Sequence, residues 1–298
     1  MITSYRKQRT LSRPVETRGV GFLTGADVVI KFLPANDNHG IAFQRMDLAG
    51  TAPVPARLEY TVPRERRTAI SHQGATIEMT EHVMAALAGL QIDNCLVQIN
   101  APEPPGGDGS SQLFVDALLK ADAVEQSAPR PCLTVGRPLH VAAEDALSEV
   151  SCRPLSYRSL AIGYHLDYGS RSPIRPQSLV VQITPETFLA EICFARTFIL
   201  ESEAAALKAQ GYGKRTTAKD LLIFGSKGPI DNTLRASDEC VRHKILDCLG
   251  DFALIGCDLH GYFDAFRSGH RLNRDLVKKL QLTHAATEGI STRAGAVA

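Results

Sequence analysis

The polar positions that follow Ser237 repeat with the period of an α-helix. His243, Asp247 and Asp251 recur at four-residue steps and therefore share one helical face. Ser237 or Asp238 can cap the first turn. We predict an amphipathic helix here, from Asp238 to Phe252. The apolar positions that form its other face are Val241, Ile245, Cys248, Leu249 and Phe252.

A second helix is predicted between Thr76 and Leu90. The segment is rich in Ala, Leu and Met, which favour helix. Thr76 or Thr80 is a candidate cap, and Gly89 stands where the pattern stops. The polar pair Glu81-His82 opens this otherwise apolar segment.

Short apolar runs that resemble strands occur in both halves of the chain, without strict β-α-β alternation. This mixture predicts an α+β fold. Further helices are predicted near residues 112–123, 185–192 and 200–210. The predicted strands are residues 26–33, 56–62, 95–100, 133–135, 140–142, 160–166 and 179–183, closed by either 253–256 or 262–267.

A polar, proline-bearing segment at residues 126–131 is interpreted as a domain boundary. It divides the chain into a first α+β domain, residues 1–126, and a second, residues 132–280. Residues 281–298 end in small and polar side chains and are predicted to be a disordered tail. Each half places a histidine on a helix followed by a strand, which is a faint indication of internal duplication.

Composition excludes several classes of protein. The 298 residues are 44% hydrophobic and 22% charged, as in ordinary globular proteins, and the net charge of +1 gives no reason to expect nucleic acid as a partner. No signal peptide is recognised, and no apolar stretch is long enough to span a bilayer. The seven scattered cysteines indicate reduced thiols and a cytoplasmic protein.

The two helices carry candidate metal chemistry. An imidazole and a carboxylate one turn apart, such as His243 and Asp247, can hold one metal ion, although a solvated His–Asp surface pair is the alternative. His82 would supply a third ligand and leave a fourth position open for water, with Glu81 as a general base. The alternative for that pair is a solvated first turn. Spacing along the sequence does not show whether the helices meet.

Short motifs follow one another in order from Gln8 to about Leu280. They are Gly19-Val20-Gly21 with Thr24-Gly25, Thr80-Glu81-His82, Ile92-Asp93-Asn94, Asp108-Gly109-Ser110, Ala195-Arg196-Thr197-Phe198, Arg242-His243-Lys244-Ile245-Leu246-Asp247 with Gly250-Asp251, and Ser268-Gly269-His270 with Leu272-Asn273. Through these motifs the chain closely resembles the UDP-3-O-acyl-N-acetylglucosamine deacetylases. Any one motif is a weak signal, but the whole series in this order is a specific one.

The resemblance implies a catalytic metal ion, zinc or ferrous iron, with one ion per chain. His82, His243 and Asp247 match the family's metal ligands. Glu81 matches the general base that deprotonates the attacking water. Cysteine has no part in this ligand set.

The resemblance also implies roles around the metal. His270 matches a general acid or electrostatic stabiliser, and Asp251 matches its carboxylate partner, which favours the protonated imidazole. Thr197 matches a hydroxyl that helps to hold the oxyanion. Lys244 matches a lysine near the substrate's diphosphate, and Phe198 is assigned to substrate binding. Lys244 follows a ligand by one residue and should therefore point toward the rim of the site.

The implied reaction is hydrolysis of the N-acetyl group of UDP-3-O-acyl-N-acetylglucosamine, which commits the substrate to lipid A biosynthesis. The products are acetate and UDP-3-O-acyl-glucosamine. The family's architecture is two similar α/β-sandwich halves that face each other with the metal between them. We expect a monomer whose partner is a nucleotide sugar carrying an acyl chain.

The chain departs from the family pattern in several places. Leu23 stands where the family often has histidine, and Ile199-Leu200 replaces a common Gly-Phe. The loop 105–111 differs, as do residues 201–232, the insert that lines the acyl-chain passage in the family. Two alternatives follow: a deacetylase for a different N-acylated amino sugar, or a non-catalytic relative that binds nucleotide sugars.

Overall fold

Helices and strands are mixed along the chain in the computed structural model, which confirms the predicted α+β class. The structure describes the backbone of residues 2–294 and the side chains of residues 4–285. The helices are α1 (Glu81–Gly89), α2 (Gln112–Leu119), α3 (Pro185–Thr187), which continues into a π-helical turn (Phe188–Ile192), α4 (Glu201–Ala209), α5 (Glu239–Ala253) and α6 (His270–Ala294).

Strands precede, separate and connect these helices. In chain order they are β1 (Ile2–Leu11), β2 (Val15–Val20), β3 (Asp27–Pro34), β4 (Ile41–Arg45), β5 (Val54–Pro55), β6 (Thr61–Val62), β7 (Ala69–His72), β8 (Ala75–Glu78), β9 (Cys95–Ile99), β10 (Ala123–Thr134), β11 (Leu139–Ala142), β12 (Glu149–Arg153), β13 (Leu160–Leu166), β14 (Gln177–Ile183), β15 (Phe198–Leu200), β16 (Leu222–Gly225), β17 (Gly228–Pro229) and β18 (Asp258–Phe266).

A five-stranded and a seven-stranded sheet form the body of the protein. The first has the order β2-β3-β9-β4-β5, and the second has the path β1-β10-β18-β12-β11, with β13 and then β14 joined to it through β18. Two three-stranded sheets, β6-β7-β8 and β15-β16-β17, are smaller. One of them ends just before α1, and the other begins at Phe198, so both border the candidate site.

The core lies where α1 packs against α5. Nearly every residue of α1 is buried, as expected for a helix that is apolar all round and lies at the centre of a protein. The larger sheets show the alternation of half-buried strands, for example at Val28, Ile30 and Phe32 of β3. Among the described residues, no helix has both the length and the apolar character needed to cross a bilayer.

The segment predicted as a linker is part of strand β10. This strand pairs antiparallel with β1, and the register shifts on either side of the Lys7–Pro129 pair. Proline is tolerated in strands at edges and irregularities, which explains why this segment can be extended rather than a loop. Strand β1 of the first half thereby joins a sheet of the second half. The division at residues 126 and 132 stays a prediction.

Three other expectations differ from the structure. Residues 281–294, expected to be disordered, continue helix α6, while the remainder of that tail, residues 295–298, lies outside the described residues. The predicted strand 56–62 contains a short 3-10 helix at Leu58–Tyr60. The predicted strand 253–256 begins at the last residue of α5 and continues as a turn, so β18 closes the set.

Candidate metal centre

Helices α1 and α5 bring three candidate ligands together. His82 lies in the first turn of α1, and His243 and Asp247 lie one turn apart on α5. The Nε2 atoms of the two histidines are 3.6 and 3.5 Å from Oδ1 of Asp247. The three side chains are buried, and their candidate ligand atoms all lie within 4.8 Å of one another. The two predicted helices therefore do meet.

Gly250 allows this close approach of the helices. A β-carbon at this position would lie 2.1 Å from the carbonyl oxygen of Glu81, far inside van der Waals contact. Glycine has no β-carbon, so α5 can pass directly against the first turn of α1. This contact places Glu81 and His82 opposite the polar face of α5.

The three residues fit a divalent metal ion. Two imidazoles and one carboxylate form a nitrogen and oxygen donor set that zinc accepts, with room for a fourth ligand. Nδ1 of His243 lies 3.1 Å from the carbonyl oxygen of Ala195, so a neutral ring donates there and leaves Nε2 for the metal. Burial lowers the pKa of His243 to about 4, which keeps the ring neutral.

Glu81 lies beside this cluster and is buried. One carboxylate oxygen accepts a hydrogen bond of 3.1 Å from the backbone N–H of Thr68. The other lies 3.8 Å from Nε2 of His270. Burial is the largest influence on this carboxyl group and raises the pKa of Glu81. A carboxylate with a raised pKa is a better proton acceptor near neutral pH.

His270 is the first residue of α6 and is paired with Asp251. Its Nδ1 lies 2.9 Å from Oδ2 of Asp251, which also accepts a 2.8 Å hydrogen bond from Asn273. Burial alone would lower the pKa of His270, but the charges of Asp251 and Glu81 and the hydrogen bond outweigh it and raise the pKa to about 9. The imidazole is therefore protonated at neutral pH, with Nε2 free to donate.

A cleft of about 740 Å³ opens over these groups. Its size suits a ligand of several rings. The predicted site residues that line it are Glu81, His82, Thr197, Phe198, His243, Lys244, Asp247 and His270. Asp251 lies behind His270 and is fully buried.

Known proteins show the same sequence pattern over almost the full chain. The sequence model of the UDP-3-O-acyl N-acetylglycosamine deacetylases matches residues 8–282. A deacetylase of that type from Myxococcus xanthus is 34% identical over 294 residues, which are 98% of this chain and 92% of the relative. The chain belongs to this family. The chain is also similar to two other relatives named UDP-3-O-acyl-N-acetylglucosamine deacetylase. The one from Solibacter usitatus is 35% identical over 92% of this chain and 91% of the relative. The one from Shewanella baltica is 33% identical over 95% of this chain and 92% of the relative.

In this member of the deacetylase family, Thr197 and Phe198 form one wall of the cleft. The Thr197 hydroxyl donates a 2.9 Å hydrogen bond to the carbonyl oxygen of Gly109, so it must release that partner before it can donate to a substrate. The Phe198 ring packs edge-on against His243, with 6.0 Å between ring centroids, and against Tyr168 at 5.9 Å. This contact supports a candidate ligand from the cleft side.

Lys244 lines the cleft but points differently from the expectation. Its Nζ lies 2.5 Å from Oδ2 of Asp247, within one turn of α5. Although burial opposes it, the charge of Asp247 raises the pKa of Lys244 well above its ordinary value. The lysine therefore neutralises the candidate ligand Asp247 instead of facing only the rim.

The departures from the family pattern lie mainly outside the metal cluster. The backbone N–H groups of Leu23 and Thr24 bind the buried carboxylate of Glu103, a contact that does not depend on the side chain at position 23. Leu23 is not among the residues that line the cleft. The insert 201–232 forms α4, β16 and β17, and Glu203 of α4 reaches the cleft.

Sequence reasoning missed four buried residues that organise this site. Gly250 and Asn273 occur in the quoted motifs, but nothing assigned them a function. Thr68 and Arg274 belong to no motif; only the tertiary structure brings Thr68 to Asp251 and Glu81, and Arg274 to Thr68. The hydrogen bonds of this group run from Arg274 to Thr68 and from Thr68 and Asn273 to Asp251.

Proposed function

We propose that this protein hydrolyses the N-acetyl group of UDP-3-O-acyl-N-acetylglucosamine and releases acetate and UDP-3-O-acyl-glucosamine. The reaction commits the substrate to lipid A biosynthesis. Membership of the deacetylase family supports this function, as do the names of its relatives. The observation that carries it is the buried convergence of His82, His243 and Asp247 beside Glu81 and His270.

The metal is proposed to be zinc, or ferrous iron, with one ion per chain held by His82, His243 and Asp247. Their donor atoms are those of catalytic zinc sites, which keep one position open. When bound, the ion would polarise the amide carbonyl and make a water molecule acidic enough to attack it at neutral pH.

Glu81 and His270 are proposed to divide the proton transfers. Glu81 accepts the proton of the attacking water, because its carboxylate is buried and its pKa is raised. Nδ1 of His270 remains hydrogen-bonded to Asp251, and Nε2 donates its proton to the departing glucosamine nitrogen. The two side chains lie only 3.8 Å apart, which supports proton transfers by both at one end of the cleft.

Two neighbouring residues are proposed to hold the substrate. The Thr197 hydroxyl turns from Gly109 to the developing oxyanion, where a donor in a dry site lowers the barrier. The ring of Phe198, which is nearly buried, offers an apolar wall to the sugar and its acyl chain.

The diphosphate is proposed to lie near the cationic side of the cleft. Arg64, Arg66 and Arg271 line it, as does Lys244. Arg64 and Arg66 already pair with Glu78 and Glu203, respectively, so a diphosphate would compete with these carboxylates. Guanidinium groups match phosphate oxygens in geometry, which favours this side for the nucleotide. We retain the predictions of a monomer and of a cytoplasmic location.

The direct test is an assay with defined nucleotide sugars. UDP-N-acetylglucosamine with and without a 3-O-acyl chain should be compared in acetate release at equal enzyme concentration. The proposed function predicts a much higher kcat/KM for the acylated sugar. Equal turnover of both, or turnover of a different N-acylated amino sugar alone, would contradict it.

A further inference from the structure

Thr68 lies between the two groups that the proposed reaction uses for proton transfer. It precedes β7, and only 1% of its surface is exposed. We propose that Thr68 is a positioning residue, which holds the Asp251–His270 pair and Glu81 in one fixed arrangement. This inference rests on the proposed function, because it assigns Thr68 a part in the same reaction.

The backbone of Thr68 is fixed to the start of α1. Its N–H donates to Glu81 at 3.1 Å, and its carbonyl oxygen accepts from the N–H of Thr80 at 3.2 Å. These two bonds join the turn before β7 to the residue that precedes α1 and to the proposed base. They do not depend on the side chain at position 68.

The hydroxyl of Thr68 is hydrogen-bonded to Asp251, the carboxylate that orients His270. It donates to Oδ1 of Asp251. Oδ2 of the same carboxylate accepts hydrogen bonds from His270 and Asn273. A buried carboxylate that lacks one of its donors is free to rotate and costs free energy. Because His270 is oriented by Asp251, a change in the carboxylate plane would move Nε2 of His270.

Arg274 determines which way the hydroxyl points. Its Nη1 donates to Oγ1 of Thr68 at 2.9 Å, and the side chain is largely buried. A hydroxyl has one proton, so an oxygen that already accepts from a cation gives that proton to Asp251. His270, Asn273 and Arg274 stand at positions i, i+3 and i+4 of α6 and therefore share one face. One helical face thus supplies the acid His270, a second donor to Asp251 and the cation that binds the Thr68 hydroxyl.

The test compares three substitutions in the metal-loaded enzyme. Thr68→Val keeps the shape but removes the hydroxyl, whereas Thr68→Ser keeps the hydroxyl. Thr10→Val is the matched control, because the buried Thr10 hydroxyl also donates once and accepts once, to Asn94 and from Ala35, away from the cleft.

We expect Thr68→Val to lower kcat by about 10- to 100-fold, the scale found when a residue that orients a metal ligand is lost, with KM and metal content unchanged. Thr68→Ser should restore most of the rate, and Thr10→Val should lower the melting temperature but not kcat. A wild-type kcat in Thr68→Val would overturn the inference, as would an equal fall in kcat in Thr10→Val.

Should Thr68→Val not fold, Arg274→Met removes the cation from the same hydroxyl. It should lower kcat by a smaller factor with KM unchanged, and an unchanged kcat would overturn the inference. A wild-type enzyme that holds metal but releases no acetate would instead contradict the proposed function.

Discussion

The protein removes charged side chains from solvent, fully or in part, in two regions that are built on different plans. Where α1 and α5 end, Arg6 and Arg130 each contact both Asp93 and Asp258 over 2.6 to 3.1 Å. We call these four residues the ionic network. Two cations face two carboxylates, so each charge in the network has an opposite partner.

The cleft near the start of α1 is different. Nε2 of His82 and Nε2 of His243 both face the same oxygen of Asp247, at 3.6 and 3.5 Å, and leave a space between them that suits a metal ion. In the ionic network every charge is paired with an opposite charge, whereas in the cleft the candidate ligand atoms converge on one point. Removal of charge from solvent is common to both regions, and the convergence of ligand atoms on one point is what distinguishes the candidate metal site.

The largest loss of activity is expected from substitutions of the two proposed proton carriers. Glu81→Gln and His270→Gln should each lower kcat by about 10²- to 10⁴-fold, the usual scale for one proton-transfer group. Both variants should retain the metal, because neither residue is a proposed ligand. Steady-state kinetics and metal analysis on the same samples would check this, with Asp93→Asn of the ionic network as the control. A fully active His270→Gln enzyme would remove His270 from the mechanism.

A substitution at Lys244 separates support of a ligand from binding of the substrate. Lys244 holds Asp247 at 2.5 Å, so Lys244→Ala should weaken metal binding by about 10- to 100-fold. Titration of the metal-free variant with zinc measures this. A raised KM with unchanged metal affinity would instead assign Lys244 to the diphosphate, as the family resemblance implied.

The pH profile should distinguish Asp251 from the aspartates of the ionic network. His270 must be protonated to act as the acid, and its pKa is raised to about 9, so kcat/KM should fall as the pH rises through that value. Asp251→Asn removes the negative charge that raises this pKa, so the basic limb should move to lower pH. Asp93→Asn, far from His270, should leave the limb in place. An unmoved limb in Asp251→Asn would contradict the assignment.

The smallest effect on activity is expected in the ionic network itself. Asp93→Asn leaves Arg6 and Arg130 with Asp258 as a shared carboxylate, which should lower the free energy of unfolding by about 1–3 kcal/mol. Urea unfolding at constant pH measures this loss. The kcat of the metal-loaded enzyme should stay at the wild-type value, and a large fall would show that the network serves the reaction.

The spacing of polar residues predicted α5, and the Ala-, Leu- and Met-rich composition predicted α1. The four-residue spacing of His243, Asp247 and Asp251 predicted their common face, and α5 confirms the helix within one residue at each end of the predicted segment. The predicted caps were right in position but not in chemistry, since neither Thr80 nor Asp238 caps its helix through its side chain. Asp238 pairs with Arg242 instead.

Other features depend on contacts between distant segments. Thr68 and Asp251 are 183 residues apart in sequence, and no local pattern links them. The prolines at positions 129 and 131 signal a loop, but pairing with β1 holds them in a strand. The direction of Lys244 follows from the charge of Asp247 and not from the helical angle alone.

His82, His243 and Asp247 are proposed to hold one catalytic metal ion. Metal content and acetate release should be measured on the same samples before chelation, after chelation, and after return of zinc or ferrous iron. We expect about one ion per chain, loss of activity when the metal is removed and recovery at stoichiometric metal, with weaker metal binding in His82→Ala and His243→Ala. Full turnover in a sample verified to be free of metal would contradict this proposal.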